Sequence, residues 1–225
     1  MAGYTSVIRN SFLSLTPGSI FCANDIYRKN FSSIPEATFY KILERLVNES
    51  AVSRLATGLY CVPKTTLLGK VNASEKDIIE YFTQNNKGIV VGYRLYNEIG
   101  LTTQVSGTVR IYSGNITEKT KTVKNIRVTK IPLSFTPKES TLLKTMDILD
   151  NFSSIEDLDI DVFKKYMQSA VKMYDDAVMS AVLNAVKYKK RTIAFFKDIL
   201  DSYSIPNNLA AYLSSLSKYK IPDWR

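Results

Sequence analysis

The sequence contains no histidine. That removes the Ser–His–Asp and Cys–His triads and every zinc site that uses an imidazole. Its two cysteines, Cys22 and Cys61, are too few for a four-cysteine zinc site or a disulfide-framed secreted fold. Each reads more simply as a small buried hydrophobe. No apolar run approaches the roughly 18 residues of a membrane span. The start, Met1-Ala2-Gly3-Tyr4, lacks the features of a signal peptide. A cytoplasmic, reducing location with no membrane partner is therefore expected. A Gly-rich phosphate loop and a Ser or Cys nucleophile signature are also missing. The chain reads as a protein that is not an enzyme and needs no cofactor.

What is present is an ordinary globular composition over 225 residues, 45% hydrophobic and 23% charged, enough for one or two domains with a real core. The balance is basic, with 30 Lys+Arg against 21 Asp+Glu. Such a balance favours nucleic acid, an anionic surface or an acidic partner. The excess sits early. Residues 1–70 carry 8 basic against 4 acidic residues, 71–135 carry 9 against 5, and 136–225 carry 13 against 12. The expected fold class is α+β: an N-terminal winged helix-turn-helix (1–70), then a second domain (71–225). That second domain combines a mixed α/β segment with a β-hairpin (71–135) and a helical region (136–225).

In the first block, Val7, Ile8, Phe12 and Leu15 recur at helical spacing from Tyr4. Thr16-Pro17-Gly18 stops that helix. Ser19-Ile20-Phe21 reads as extended, and a short helix follows through Ile26, Tyr27 and Phe31. Ser33 and Glu36 have capping-box spacing, with Pro35 in the first turn. The helix they open would bury Phe39, Ile42, Leu43, Leu46 and Val47. Ala37, Lys41, Glu44 and Asn48 would face away, flanked by Thr38, Tyr40 and Arg45. Ala51 to Leu55 and Leu59 to Val62, around Ala56-Thr57-Gly58, read as a hairpin.

Three helices followed by a hairpin is a winged-helix order. A recognition helix of that kind lies in the major groove, with its N-terminal residues at base edges. The DNA-contact set is therefore Arg28, Lys29, Ser33, Ala37, Thr38, Tyr40, Lys41, Arg45, Arg54 and Thr57. Ser33 and the helix N-terminus suit phosphate, as do the cations Arg28 and Lys29. Lys41 and Arg45 charge the exposed face, and Arg54 and Thr57 occupy the wing. The competing reading is that these cations merely solvate a surface, and winged helices also serve as protein-docking modules.

These residues resemble the AbiEi-type antitoxins of bacterial type IV toxin–antitoxin and phage abortive-infection systems. The likeness lies in Leu43-Glu44-Arg45-Leu46-Val47, Val52-Ser53-Arg54-Leu55 and Gly58-Leu59-Tyr60-Cys61-Val62-Pro63-Lys64. It continues in Gly92-Tyr93-Arg94-Leu95-Tyr96-Asn97-Glu98-Ile99-Gly100-Leu101-Thr102-Thr103-Gln104, with Val109 to Tyr112 and Ile126 to Thr129 as the following β-stretch. It covers roughly the first 135 residues; Arg94-Leu95 stands where family members often have Ala-Leu. The resemblance implies a repressor that binds double-stranded DNA at its own promoter and counteracts a nucleotidyltransferase-class toxin, with no stable complex required. The alternatives are a protein-docking winged helix and an ordinary repressor outside any toxin–antitoxin pair.

Further along, Ser74 opens a helix through Ile78, Ile79 and Phe82, and Gly88 to Gly92 reads as a strand or an approach to the next helix. Lys119, Lys121 and Lys124 with the alternating run Ile126 to Ile131 read as a basic hairpin, either a solvated loop or an extension of a nucleic-acid footprint. The acids from Asp147 to Asp161 suit Mg2+ in type, yet helix capping explains them better. Phe163 to Ala185 reads as one long helix reaching Val186. The run Lys187-Tyr188-Lys189-Lys190-Arg191 reads as its basic C-terminal end. Trp224 either docks on the body or anchors a partner.

Overall fold

The computed structural model describes residues 3–225; Met1 and Ala2, part of the N-terminal reading, lie outside the described residues. It is a mixed α+β chain with three sheets among the described residues, and it divides into two compact units. The first comprises 1–81 with 122–124, the second 82–121 with 125–225. The expected boundary at residue 70 falls earlier. Residues 64–81 hold to the first unit through Lys64 paired with Asp77 at 3.5 Å, Lys70 Nζ donating to Ser50 O, and Lys124 Nζ donating to Ala73 O.

The first unit runs α1 (Tyr4–Leu13), β1 (Ile20–Cys22), α2 (Ala23–Asn30), α3 (Glu36–Asn48), β2 (Ser53–Ala56) and β3 (Leu59–Cys61). The sheet order is β1-β3-β2, all antiparallel. Phe39 of α3 is fully buried at the centre. The rings of Phe12, Tyr27, Phe31 and Tyr40 surround it at 5.2–6.1 Å. Ile42, Leu43 and Leu46 complete the stripe, and Val47 is half-buried. Cys61 is buried and Cys22 half-buried; both are free thiols.

Three details correct the sequence reading. α1 ends at Leu13 rather than Leu15, and Val7 is exposed. The Ser33–Glu36 capping box does not form. Pro35 is the N-cap, with ψ 131°, and no side chain caps α3. A proline disfavours the helical conformation in the residue before it, so the helix starts too late for Ser33 to reach it. A second hairpin, β4 (Lys64–Thr66) with β5 (Gly69–Val71), follows, which the sequence reading did not include. Thr66 Oγ1 donates to Gly69 O at 2.8 Å across its tip, leaving Leu67 and Leu68 fully exposed.

α4 (Glu75–Thr83) opens with a reciprocal cap: Ser74 N–H donates to the Asp77 carboxylate, and Asp77 N–H donates to Ser74 Oγ. Then come β6 (Gly88–Val91), α5 (Tyr93–Glu98), β7 (Val109–Ser113), β8 (Thr120–Val123) and β9 (Ile126–Lys130). They form a sheet of order β6-β7-β9-β8. β6 and β7 are antiparallel, whereas β7 and β9 run parallel from Val109↔Ile126 to Ser113↔Lys130. Along β9, Ile126 and Val128 are buried while Arg127 and Lys130 are exposed, the alternation of a strand with one wet face. Gly88 is required by a close approach. A Cβ there would lie 2.4 Å from Tyr112 O and 2.6 Å from Phe82 O.

The rest is helical: α6 (Pro137–Asn151), α7 (Ile160–Ala170), α8 (Asp176–Ala185) and α9 (Lys190–Ser202). α6 starts with a complete capping box, Thr136 with Glu139, and Pro137 at its first position. The single helix expected up to Val186 is two. Tyr174 is extended, and Asp175 caps α8 by accepting from Ala177 N–H and Val178 N–H. The basic run 187–191 therefore leads into the N-terminus of α9 instead of ending a helix. Trp224 docks within the second unit: it is buried, its Nε1 donates to Asp198 at 3.0 Å, and its ring meets Phe163 edge-on. No helix is long and apolar enough to cross a membrane among the described residues.

Candidate nucleic-acid interface

All ten residues expected to contact DNA fall in the first unit. α3 brings together the most useful ones. Ala37, Lys41 and Arg45 are four residues apart, hence on one strip with about 5–6 Å between successive Cβ atoms, and all three are exposed. Thr38 is half-exposed beside them. Among the described residues Lys41 and Arg45 make no ion pair, and both are exposed. Two carboxylates share the exposed side, Glu36 and Glu44.

The other residues are placed less uniformly. Tyr40 packs its ring edge-on against Phe39 at 5.2 Å. Burial, then the Glu36 charge, raises its phenol pKa. Its ring packs against the core while staying half-buried. Ser33 lies in the loop before α3, exposed. Arg28 and Lys29 occupy the last turn of α2, and among the described residues neither forms an ion pair with a carboxylate. That position also complements the helix dipole. On the β2–β3 hairpin Arg54 donates to Thr57 Oγ1 at 3.3 Å, which couples these two hairpin residues.

The central basic hairpin is more committed than its composition implied. Lys121 pairs with Glu118 at 2.7 Å, Lys124 donates to Ala73 O at 2.8 Å, and Lys130 donates to Thr117 O. The acids between Asp147 and Asp161 diverge. Asp159 caps α7 by accepting from Asp161 N–H and Val162 N–H, and Asp150 accepts from Thr192 Oγ1 at 2.6 Å. Among the described residues no three acids or cysteines gather into a possible metal site.

Sequence reasoning missed the most connected polar group in the second unit. Asp147, 2% exposed on α6, accepts from Gly92 N–H at 2.8 Å and from Tyr96 Oη at 2.7 Å. Arg110 Nη2 reaches it at 3.3 Å and Tyr112 Oη at 3.5 Å. Burial and then the Asp147 charge push the Tyr112 phenol up to about 12 and raise the Tyr96 phenol further. Burial is the largest single influence on Arg110 and disfavours its charge, but Asp147 together with Tyr112 and Tyr96 outweighs it, so its pKa is raised. The available signal was Asp147 falling among the apolar α6 positions Leu143, Met146 and Ile148. A carboxylate there must be matched by donors from elsewhere.

Residues 7–191 match the profile of DUF6088, described as a family of unknown function, and the chain belongs to that family. No curated protein matches the chain. Among solved structures, the chain is similar to the RV2827C protein from Mycobacterium tuberculosis. The TM-score is 0.44 and the sequence identity 10%, with 89% of this chain and 76% of that one covered.

Proposed function

We propose that this protein is a winged-helix DNA-binding repressor that acts as the antitoxin of a type IV toxin–antitoxin pair, autoregulating its operon from the cytoplasm and counteracting a nucleotidyltransferase-class toxin. The observation that carries the DNA half is the exposed α3 strip Ala37–Lys41–Arg45 with unpaired cations, on a helix whose opposite face is buried. The order α1-β1-α2-α3-β2-β3, with β1 paired to β3, supports the winged-helix reading. The antitoxin half rests on the AbiEi resemblance.

The test is a gel-shift titration on the DNA upstream of the protein's own gene, with scrambled competitor, at two salt concentrations. Specific retention that weakens with salt is expected, because phosphate contacts release counterions. Co-expression with the neighbouring gene then tests toxicity relief. Absence of specific retention would leave the second reading, a protein-docking module, which the fully exposed Leu67 and Leu68 at the β4–β5 tip favour.

A further inference from the structure

We infer that the second unit carries a binding site for a nucleoside phosphate in a cavity beside the N-terminus of α9. The cavity measures about 400 Å³ and lies between α6, the start of α9 and the C-terminal segment 218–222. That volume is within the range of small-molecule sites. Three cations line it, Arg191, Lys218 and Lys220, and among the described residues none forms an ion pair with a carboxylate. The single acid in the lining, Asp150, accepts from the Thr192 hydroxyl at 2.6 Å and forms no direct ion pair with any of the three, so positive charge exceeds negative in the lining.

Asp150 is the one acid beside the start of α9 in this lining, and it leaves the cations there in excess. α9 begins Lys190-Arg191 after Lys189, has no acid in its first turn, and has no side-chain cap. Cations at that end oppose the helix dipole, and the first amide groups of a helix lack internal partners. A phosphate at the mouth would relieve both conditions. Lys190 is turned to another task, donating to Tyr212 O, which leaves Arg191 for the ligand.

The remaining lining selects the class of phosphate. Leu149, Phe195, Ile221 and Pro222 make an apolar wall, with the Tyr219 ring beside it. Inorganic phosphate or a sugar phosphate would leave that wall unused. A planar base would cover it while its phosphates reach Arg191, Lys218 and Lys220. The chain has no Gly-rich phosphate loop, so side-chain charge takes that role here.

The experiment is isothermal titration calorimetry on the full chain at low salt, with ATP, GTP, CTP and UTP in turn, with pyrophosphate, and with a blunt DNA duplex as competitor. At least one nucleotide is expected to bind once per chain, about tenfold or more tighter than pyrophosphate. The Arg191→Ala/Lys220→Ala double variant, and separately Lys218→Glu, should each weaken that binding about tenfold or more, the loss expected for one charged hydrogen bond. All three positions are exposed, so the melting temperature without ligand should not move. The inference is overturned if no nucleotide binds, if the variants bind as well as the parent, or if pyrophosphate binds equally. Competition by duplex at matched phosphate concentration would assign the cations to DNA and overturn it as well.

Discussion

The carboxylate of Asp147 accepts the backbone N–H of Gly92 at 2.8 Å, joining α6 to the turn between β6 and α5. Gly92 has φ 72° and ψ −158°, a conformation open essentially to glycine alone. The side chain on one element thus anchors the special backbone of another. Tyr96, Arg110 and Tyr112 converge on the same carboxylate. Asp147→Ala should strand these donors together. The expected cost is about 3 kcal/mol, the lower end for a broken buried pair because Arg110 is half-exposed. Guanidinium denaturation followed by far-UV circular dichroism measures it, and a loss below about 1 kcal/mol would mean that the cluster is not a hub.

Gly88 is a second position where the backbone leaves no choice. Its missing side chain lets β6 lie against Tyr112 O and Phe82 O. Gly88→Ala forces rigid backbone atoms apart and should destabilise by about 1–3 kcal/mol. Gly114, where the nearest atom to an added Cβ is at 3.7 Å, is the matched control, and Gly114→Ala should leave packing intact.

For DNA binding, Lys41→Ala with Arg45→Ala removes the two unpaired charges of the α3 strip. If both meet phosphates, the slope of log affinity against log salt should become shallower by about 2, since each contact contributes about 0.9. Thermal melting of the variant should match the parent, because neither side chain is buried. An unchanged slope with a folded variant would exclude α3 as the contacting helix.

Alkaline pH should weaken the second unit in a definite window. The folded state holds Tyr112 as a neutral phenol up to about 12, above the ordinary value of 10.0. A raised pKa gives stabilisation that is complete below the unfolded value and lost as pH rises through the folded one. The unfolding free energy should therefore fall between about pH 10 and 12. Tyr112→Phe should make that fall less steep, which denaturation curves at a series of pH values would register. An identical pH profile in the variant would show that other groups control the decline.

Much of the first unit is legible from spacing alone. Phe39, Ile42, Leu43 and Leu46 recur with the helical period and are the residues that α3 buries. The turn at Thr57-Gly58 separates β2 and β3 as expected. The start of α3 was misread because Ser33 and Glu36 satisfy a spacing rule, while Pro35 imposes a stronger local constraint. The break between α7 and α8 was missed because apolar residues continue through it; only Asp175 marks it, and its role depends on which amides are free. Parallel pairing of β7 with β9 is a long-range choice that no local pattern encodes. The Asp147 cluster was hidden for the same reason: its donors come from residues 92, 96, 110 and 112, distant in sequence.

Trp224 has one further consequence. It is the only tryptophan in the chain, and it is buried against Phe163 and Tyr203 of the second unit. Intrinsic emission excited at the red edge therefore observes that unit and is blind to the one containing α3. Circular dichroism, by contrast, sums the backbone of both. Overlaying the two signals along one denaturation curve becomes a direct readout of cooperativity: coincident transitions mean the halves melt as one thermodynamic body, and separated transitions mean each has a stability of its own.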